Sequence, residues 1–480
     1  MEAVTSLTKS LLHGLTMEPI LVLFEKRDMH IAVAKESMER INKEGIELLK
    51  RNLELFKKNI AEIEPIAKEW LDWLREIHKK DLKSTSDREL VDFSLKYRAF
   101  YKEVYGRYFV VLVLEQPLTK HLQNVLEERC AKDAASAFTI LTSSYDAMHT
   151  RQEEKERLQI AMQIKKNKEW NDIFLKETKE IEEAVGKDNE LLALIEKHLE
   201  RWFWITRDYE DPVLTKNDVL EKIKETLNAH DVEKKAHEAE HEQQGIERKI
   251  VEKEKELQLS EEERRFFAIM REGITLKELR KKIVSQSLYY FDAVIEEISQ
   301  RTNLPLHLVR MLLPHDFEAV IIEKKDKRED IEKRYNKCVV GCEEGEYSLF
   351  QNEEAEQLFT TARKVNKDVK ELKGLSGAAG VARGPARIVL HPSDFHKVQE
   401  GDIMITVQAV PSFIKPLMLC KGIVADGGSG ITSHPATLAR EVGIPCVVQT
   451  KIATEIIKDG DMVEVDGNNG FMRILKKRYG

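Results

Sequence analysis

From its start to about residue 365 the chain repeats one pattern. Apolar residues recur at three- and four-residue intervals, charged residues lie between them, and glycine is rare. That spacing lines the apolar positions along one face of a helix, so it predicts a region built almost entirely of helices. Helix starts are legible within it. Ser86 with Glu89 before "LVDFSLKYRAFY", and Ser260 with Glu263 before "RRFFAIM", have the spacing of a reciprocal capping box. Asn303, Leu304 and Pro305 open a short helix, "LPLHLVRMLL". Turn formers cluster at "VGKDN", 185–189, and "RDYEDP", 207–212, and predict breaks. Two segments, 151–183 and 232–264, are so charged that they must be largely solvated, either as hairpin arms or as a helix pair packed through one thin face. No repeat of fixed period runs through the region.

After about residue 370 glycine becomes frequent, and short β-rich runs replace the helical spacing. "ARIVL" (386–390), "DIMIT" (402–406), "GIVAD" (422–426), "PCVV" (445–448) and "DMVEVDG" (461–467) read as strands separated by turns such as "EGD" and "KDGD". A single helix, 435–442, falls between two of them. The expected fold class is therefore multidomain α and α/β: an all-α region over 1–365, then a small α/β domain over 366–480, joined by a linker within 360–374.

Composition narrows the classes of function. The 480 residues carry 77 basic and 85 acidic side chains, a net charge of −8, mixed along the chain. This gives no basic footprint for nucleic acid. The apolar run "YFVVLVL", 108–114, is far too short to span a bilayer, and "MEAVTSLTKSLLHGL" lacks the layout of a secretory signal. A cytoplasmic protein with no membrane partner is expected. Five cysteines, at 130, 338, 342, 420 and 446, show no framework of paired spacings. Cys338 and Cys342 have no second ligand pair at a suitable distance, so they read as reduced thiols and not as a metal site.

The candidate chemistry lies in "GGSGITSHPATLAREVGIPCVV", 427–448. Pro435 suits a first helical position, so Thr432, Ser433 and His434 sit at a helix N-terminus. That end of a helix favours an anion. Gly427, Gly428 and Gly430 allow close backbone approach to such a group. Imidazole titrates near pH ~6.5, so its neutral, nucleophilic form is available near neutrality. Arg440, on the same helix, suits either a phosphate contact or a structural ion pair.

These residues carry a resemblance. "GLSGAAGVARGPARIVL", "GDIMIT", "ITSHPATLAREVGIPCVV" and "KDGDMVEVDG", in that order over about 105 residues, resemble the phosphohistidine swivelling domain of the phosphoenolpyruvate-utilising enzymes, a β/β/α module. That group includes phosphoenolpyruvate synthase, pyruvate phosphate dikinase and rifampin phosphotransferase. The resemblance implies that His434 is the phosphocarrier, with Gly427, Gly428, Gly430, Thr432 and Ser433 around the phosphate. The chain departs from the pattern in three places. The glycine turn is one residue longer than usual, Pro435 stands where alanine is commoner, and Gln449 replaces a glycine. Neither the family's ATP-grasp domain nor its C-terminal barrel is found, and the helical region is only loosely similar to the one preceding the swivelling domain in rifampin phosphotransferase.

The function implied is a phosphotransferase component, incomplete without a partner. Mg-ATP would be bound by an ATP-grasp protein in trans, with no cofactor held by this chain alone. His434 would relay the phosphoryl group to a small-molecule acceptor held by the helical region. Trp202, Phe203, Trp204 and Tyr209 could line that acceptor pocket with Arg207 orienting the ligand, although such a cluster also suits a core. The alternative is a non-catalytic scaffold that retains a swivelling domain. A rival motif, "HEAEH" at 237–241, fits the His-Glu-x-x-His pattern of zinc proteases. Its charged surroundings give no apolar face to dry a site, and no third ligand is evident. It reads as a solvated helix without a metal site, with adventitious metal binding ahead of protease chemistry.

Overall fold

The computed structural model describes residues 10–15, 17–26, 28–130, 133–207, 212–229, 231–343, 346–362, 369–409, 411–427 and 433–478. Two compact units emerge: Met1–Lys132 with Ile140–Phe359, and Thr360–Gly480 with the short stretch Asp133–Thr139.

The first unit opens with a hairpin of β1 (Ile20–Glu25) and β2 (Asp28–Val33). Helices α1 (Lys35–Arg51), α2 (Leu55–His78) and α3 (Asp87–Cys130) follow. A second group comprises α4 (His149–Lys166), α5 (Asn189–Trp202), α6 (Lys216–Asn228) and α7 (Val232–Glu256). The 42-residue α8 (Glu261–Thr302) then packs along α2 and α3. Trp70 and Ile63 on α2, Val110 and Leu114 on α3, and Phe266 and Val294 on α8 are fully buried in this unit. Both expected capping boxes form. The Ser260 N–H donates to Glu263 Oε2 at 2.6 Å and the Glu263 N–H to Ser260 Oγ at 3.2 Å, while Ser86 and Glu89 exchange the same pair of bonds. Of the two alternatives for the charged segments, the thin face holds. Helices α4 and α7 meet along a narrow seam of Leu158, Ala161, Met162, Val232, Ala236 and Ala239.

The all-helical expectation for 1–365 needs one correction. Strands β3 (Cys338–Glu343) and β4 (Glu346–Gln351) join the opening hairpin in a four-stranded antiparallel sheet of order β2-β1-β3-β4. Ile20 pairs with Cys342 and Phe24 with Cys338. The helical spacing hid these strands because each is only six residues long, and periodicity over so short a run does not separate a strand from a helical segment.

The second unit is an eight-stranded mixed sheet of order β5-β12-β11-β7-β8-β9-β10-β6. Its strands are β5 (Glu371–Lys373), β6 (Leu375–Ala378), β7 (Val381–Ile388), β8 (Ile403–Thr406), β9 (Gly422–Ala425), β10 (Cys446–Val448), β11 (Met462–Asp466) and β12 (Phe471–Lys476). The centre, β7 to β10, is parallel. All five expected strands are present, whereas β5, β6 and β12 were not anticipated. Strand β5 takes up Glu371–Lys373 at the end of the range within which the linker was expected.

Alternation along the central strands fills both faces. Met404, Ile423, Ala425, Cys446 and Val448 pack on one side with helix α9 (His434–Val442), while Ile403, Ile405, Val424 and Val447 pack on the other with the short α10 (Ala453–Ile456). A sheet buried on both faces requires near-continuous apolar strands, which is how "IMIT" and "GIVA" read.

Candidate functional site at the start of α9

Helix α9 is seated on the sheet by Ala436, Leu438 and Ala439, and so the polar positions of "HPATLAREV" point away from the core. Ser433 is the N-cap in an extended conformation, buried, with its carbonyl accepting the Thr437 N–H at 2.9 Å. His434 is the first helical residue and is exposed; Pro435 follows it into the buried side. The far end closes at Gly443, left-handed with φ 80°, whose N–H reaches Ala439 O at 2.8 Å. An exposed histidine thus stands at the positive end of a nine-residue helix whose other residues pack it on the sheet.

Two residues make the close seating of α9 work. Gly377 on β6 has no room for a side chain, since a Cβ there would lie 2.7 Å from Cys446 Sγ and 3.0 Å from Ala436 Cβ. Arg440 crosses to the same residue and donates from Nη1 to Gly377 O at 2.6 Å, with Nη2 near Thr437 Oγ1 at 3.3 Å. These contacts are hydrogen bonds to a backbone carbonyl and a hydroxyl.

The end of β9, the strand that precedes α9 in the chain, is built around Asp426, which sequence reasoning passed over. Its carboxylate accepts from Thr450 Oγ1 at 2.8 Å, from the Thr454 N–H at 2.8 Å, from Thr454 Oγ1 and from the Ala453 N–H. It therefore caps α10 and ties β9 to the segment after β10. The Asp426 and Gly427 N–H groups continue the parallel pairing onto Thr406 O at 2.9 Å and Val407 O at 2.8 Å. A Cβ on Gly427 would lie 2.9 Å from Val407 O, so this glycine is required by close backbone approach. Gln449, whose N–H donates to Gly427 O at 3.2 Å, has φ 61°. That left-handed geometry is a physical reason for a glycine at this position in the pattern the chain departs from. Gly428, Gly430 and Thr432 lie outside the described residues.

Cys446, beneath α9, is fully buried, and burial pushes its thiol up to about 12. It is a packing residue, as is Cys420, pushed up to about 12 by the same cause. No disulfide forms among the described residues.

The aromatic cluster of the helical unit is placed differently. Trp202 and Trp204 are 3% and 1% exposed and pack with Phe203, Tyr289 and Tyr290 as a core. Arg207 is buried and donates from Nη2 to Asp292 Oδ2 at 2.6 Å. These side chains offer no open face to a ligand, so the structure spends them on packing; Tyr209 lies outside the described residues. Among the described residues no helix is long and apolar enough to cross a membrane.

A mixed α/β module with a histidine at the start of a sheet-packed helix defines the class. Residues 398–470, which hold His434 and four of the eight strands, β8 to β11, match the family described as PEP-utilising enzyme, mobile domain. Particular relatives fit that class. The chain is 39% identical over 133 residues to a probable phosphoenolpyruvate synthase of Archaeoglobus fulgidus, covering 25% of this chain and 18% of that protein. It is 31% identical over 156 residues to an uncharacterised phosphotransferase of Bacillus subtilis, covering 32% and 19%. It is 34% identical over 113 residues to rifampicin phosphotransferase of Bacillus cereus, covering 24% and 13%. The chain spans less than a fifth of the length of each.

Proposed function

We propose that this protein is a phosphotransferase component that carries a phosphoryl group on His434. The observation that supports this best is the exposed imidazole at the N-terminus of α9 within the matched mobile domain. A neutral ring nitrogen attacks phosphorus in line, the P–N bond forms as the P–O bond to the nucleotide leaving group breaks, and a phosphoramidate results. The positive end of α9 favours the new dianion. In a second step an acceptor oxygen attacks phosphorus, the P–N bond breaks, and the histidine is regenerated.

In this reading Mg-ATP is bound by an ATP-grasp protein acting in trans, and the acceptor is a small molecule held by the helical unit. The names of the relatives, phosphoenolpyruvate synthase and rifampicin phosphotransferase, support the general reaction and leave the acceptor open.

The test is intact-mass and acid-labile phosphate analysis after incubation with Mg-ATP, with and without an ATP-grasp protein from the same genome. The expected result is one acid-labile phosphate on the wild type and none on His434→Ala. Equal phosphate on both would overturn the assignment of His434, and none under either condition would favour the scaffold.

A further inference from the structure

The "HEAEH" segment lies on α7, which faces α4 through Val232, Ala236 and Ala239. His237, Glu240 and His241 are all exposed. One donor atom from each comes within 4.8 Å of the others, and the two imidazole centroids are 4.6 Å apart. The third ligand absent from the sequence reading is therefore Glu240, one helical turn from His237 and adjacent to His241.

The surrounding charges set this trio apart. The neighbouring acids are matched: Asp231 with Lys235 at 3.1 Å, Glu233 with Lys165 at 2.9 Å, Glu238 with Lys234 at 3.8 Å, and Glu242 with Arg151 at 3.8 Å. Among the described residues, no hydrogen bond or ion pair holds His237, Glu240 or His241. Their donor atoms are available, and rotamer changes on an exposed helix face close the separations to the ~3.3 Å that tetrahedral coordination at about 2.0–2.1 Å demands.

We infer that His237, Glu240 and His241 form a binding site for one divalent transition metal of the zinc class. Two imidazoles and one carboxylate suit Zn²⁺, Co²⁺ or Ni²⁺, whereas Ca²⁺ and Mg²⁺ take oxygen ligands and Cu(I) prefers sulfur. Three protein ligands leave a coordination position for water. The metal staples a full turn of α7, a helix whose packing on α4 is a narrow seam. It is not a protease centre: Glu238, which the motif would need as base, is paired with Lys234, and the trio lies in open solvent.

Isothermal titration of untagged, metal-stripped full-length protein with ZnCl₂ tests this, with absorption of the Co²⁺ form as a second readout. One equivalent is expected to bind wild type, and His237→Ala/His241→Ala should weaken binding at least about tenfold, since even supporting outer contacts contribute that much. Glu238→Gln should bind as wild type does. Equal affinity in wild type and the double variant, or saturation of both only at millimolar zinc, would overturn the site.

Discussion

Asp426 terminates β9 with four donors on one carboxylate, two of them backbone N–H groups at the start of α10. A charged acceptor so used contributes more than a neutral hydrogen bond, so Asp426→Ala should destabilise the C-terminal unit by about 2–3 kcal/mol, measured by urea denaturation. Gln449 stands on the opposite side of the ledger, with a side chain in left-handed backbone. Gln449→Gly should raise stability by about 1 kcal/mol in the same assay. The position of His434 at a helix start was legible because its signals are local: a glycine-rich stretch before it and a proline after it. Asp426 was not, because its partners lie 24 to 28 residues away and only the fold brings them together. Gln449 was legible as a departure, but its physical meaning needed the backbone angle.

Helices α4, α5 and α6 meet around a buried histidine. His198 Nδ1 lies 3.2 Å from Glu156 Oε1 and Nε2 lies 3.3 Å from Glu153 Oε1, while Arg157 reaches Glu153 and Thr226, and Arg201 and Trp202 reach Glu156. Burial alone would depress the His198 pKa, but the bonds to Glu153 and Glu156 outweigh it and hold the imidazolium above its ordinary range. Burial would likewise raise both carboxylates, yet their partners hold them below theirs. The sign follows. The histidine's contribution is complete below about pH 6.5 and fades as pH rises through its raised value; the carboxylates' contribution is complete above about pH 4.5 and fades as pH falls through their lowered values. Thermal melts should therefore show this helix group firmest between those limits and weaker at pH 9. In His198→Gln the alkaline loss should flatten, with about 3 kcal/mol lost at pH 6 because the buried Glu153 and the half-buried Glu156 lose their shared cation. Helix ends were legible from caps, which are short-range features, and the thin seam only as one of two alternatives left open by the charge pattern. The network was not, since nothing in a sequence pairs a histidine with glutamates two helices away.

Each unit of the molecule has its own core, helical in one and laid on both faces of a sheet in the other. Val424, fully buried in the sheet's second face, offers a test. Val424→Ala should lower the calorimetric transition of the C-terminal unit by removing about 2–3 kcal/mol of burial, while the helical signal keeps its midpoint. The change in spacing near residue 370 made this division legible, whereas the four-stranded sheet was invisible because its strands come from distant parts of the chain. That sheet has a consequence for synthesis. The β1–β2 hairpin leaves the ribosome early, but the other edge of β1 belongs to β3, and Ile20 meets Cys342 only when nearly the whole helical region has been translated. At ribosomal speeds that wait is roughly tens of seconds, during which an apolar strand edge is open to pairing with another nascent chain. Chains stalled before residue 338 are thus expected to associate through β1, and a chaperone that shields this edge should raise the yield of folded protein.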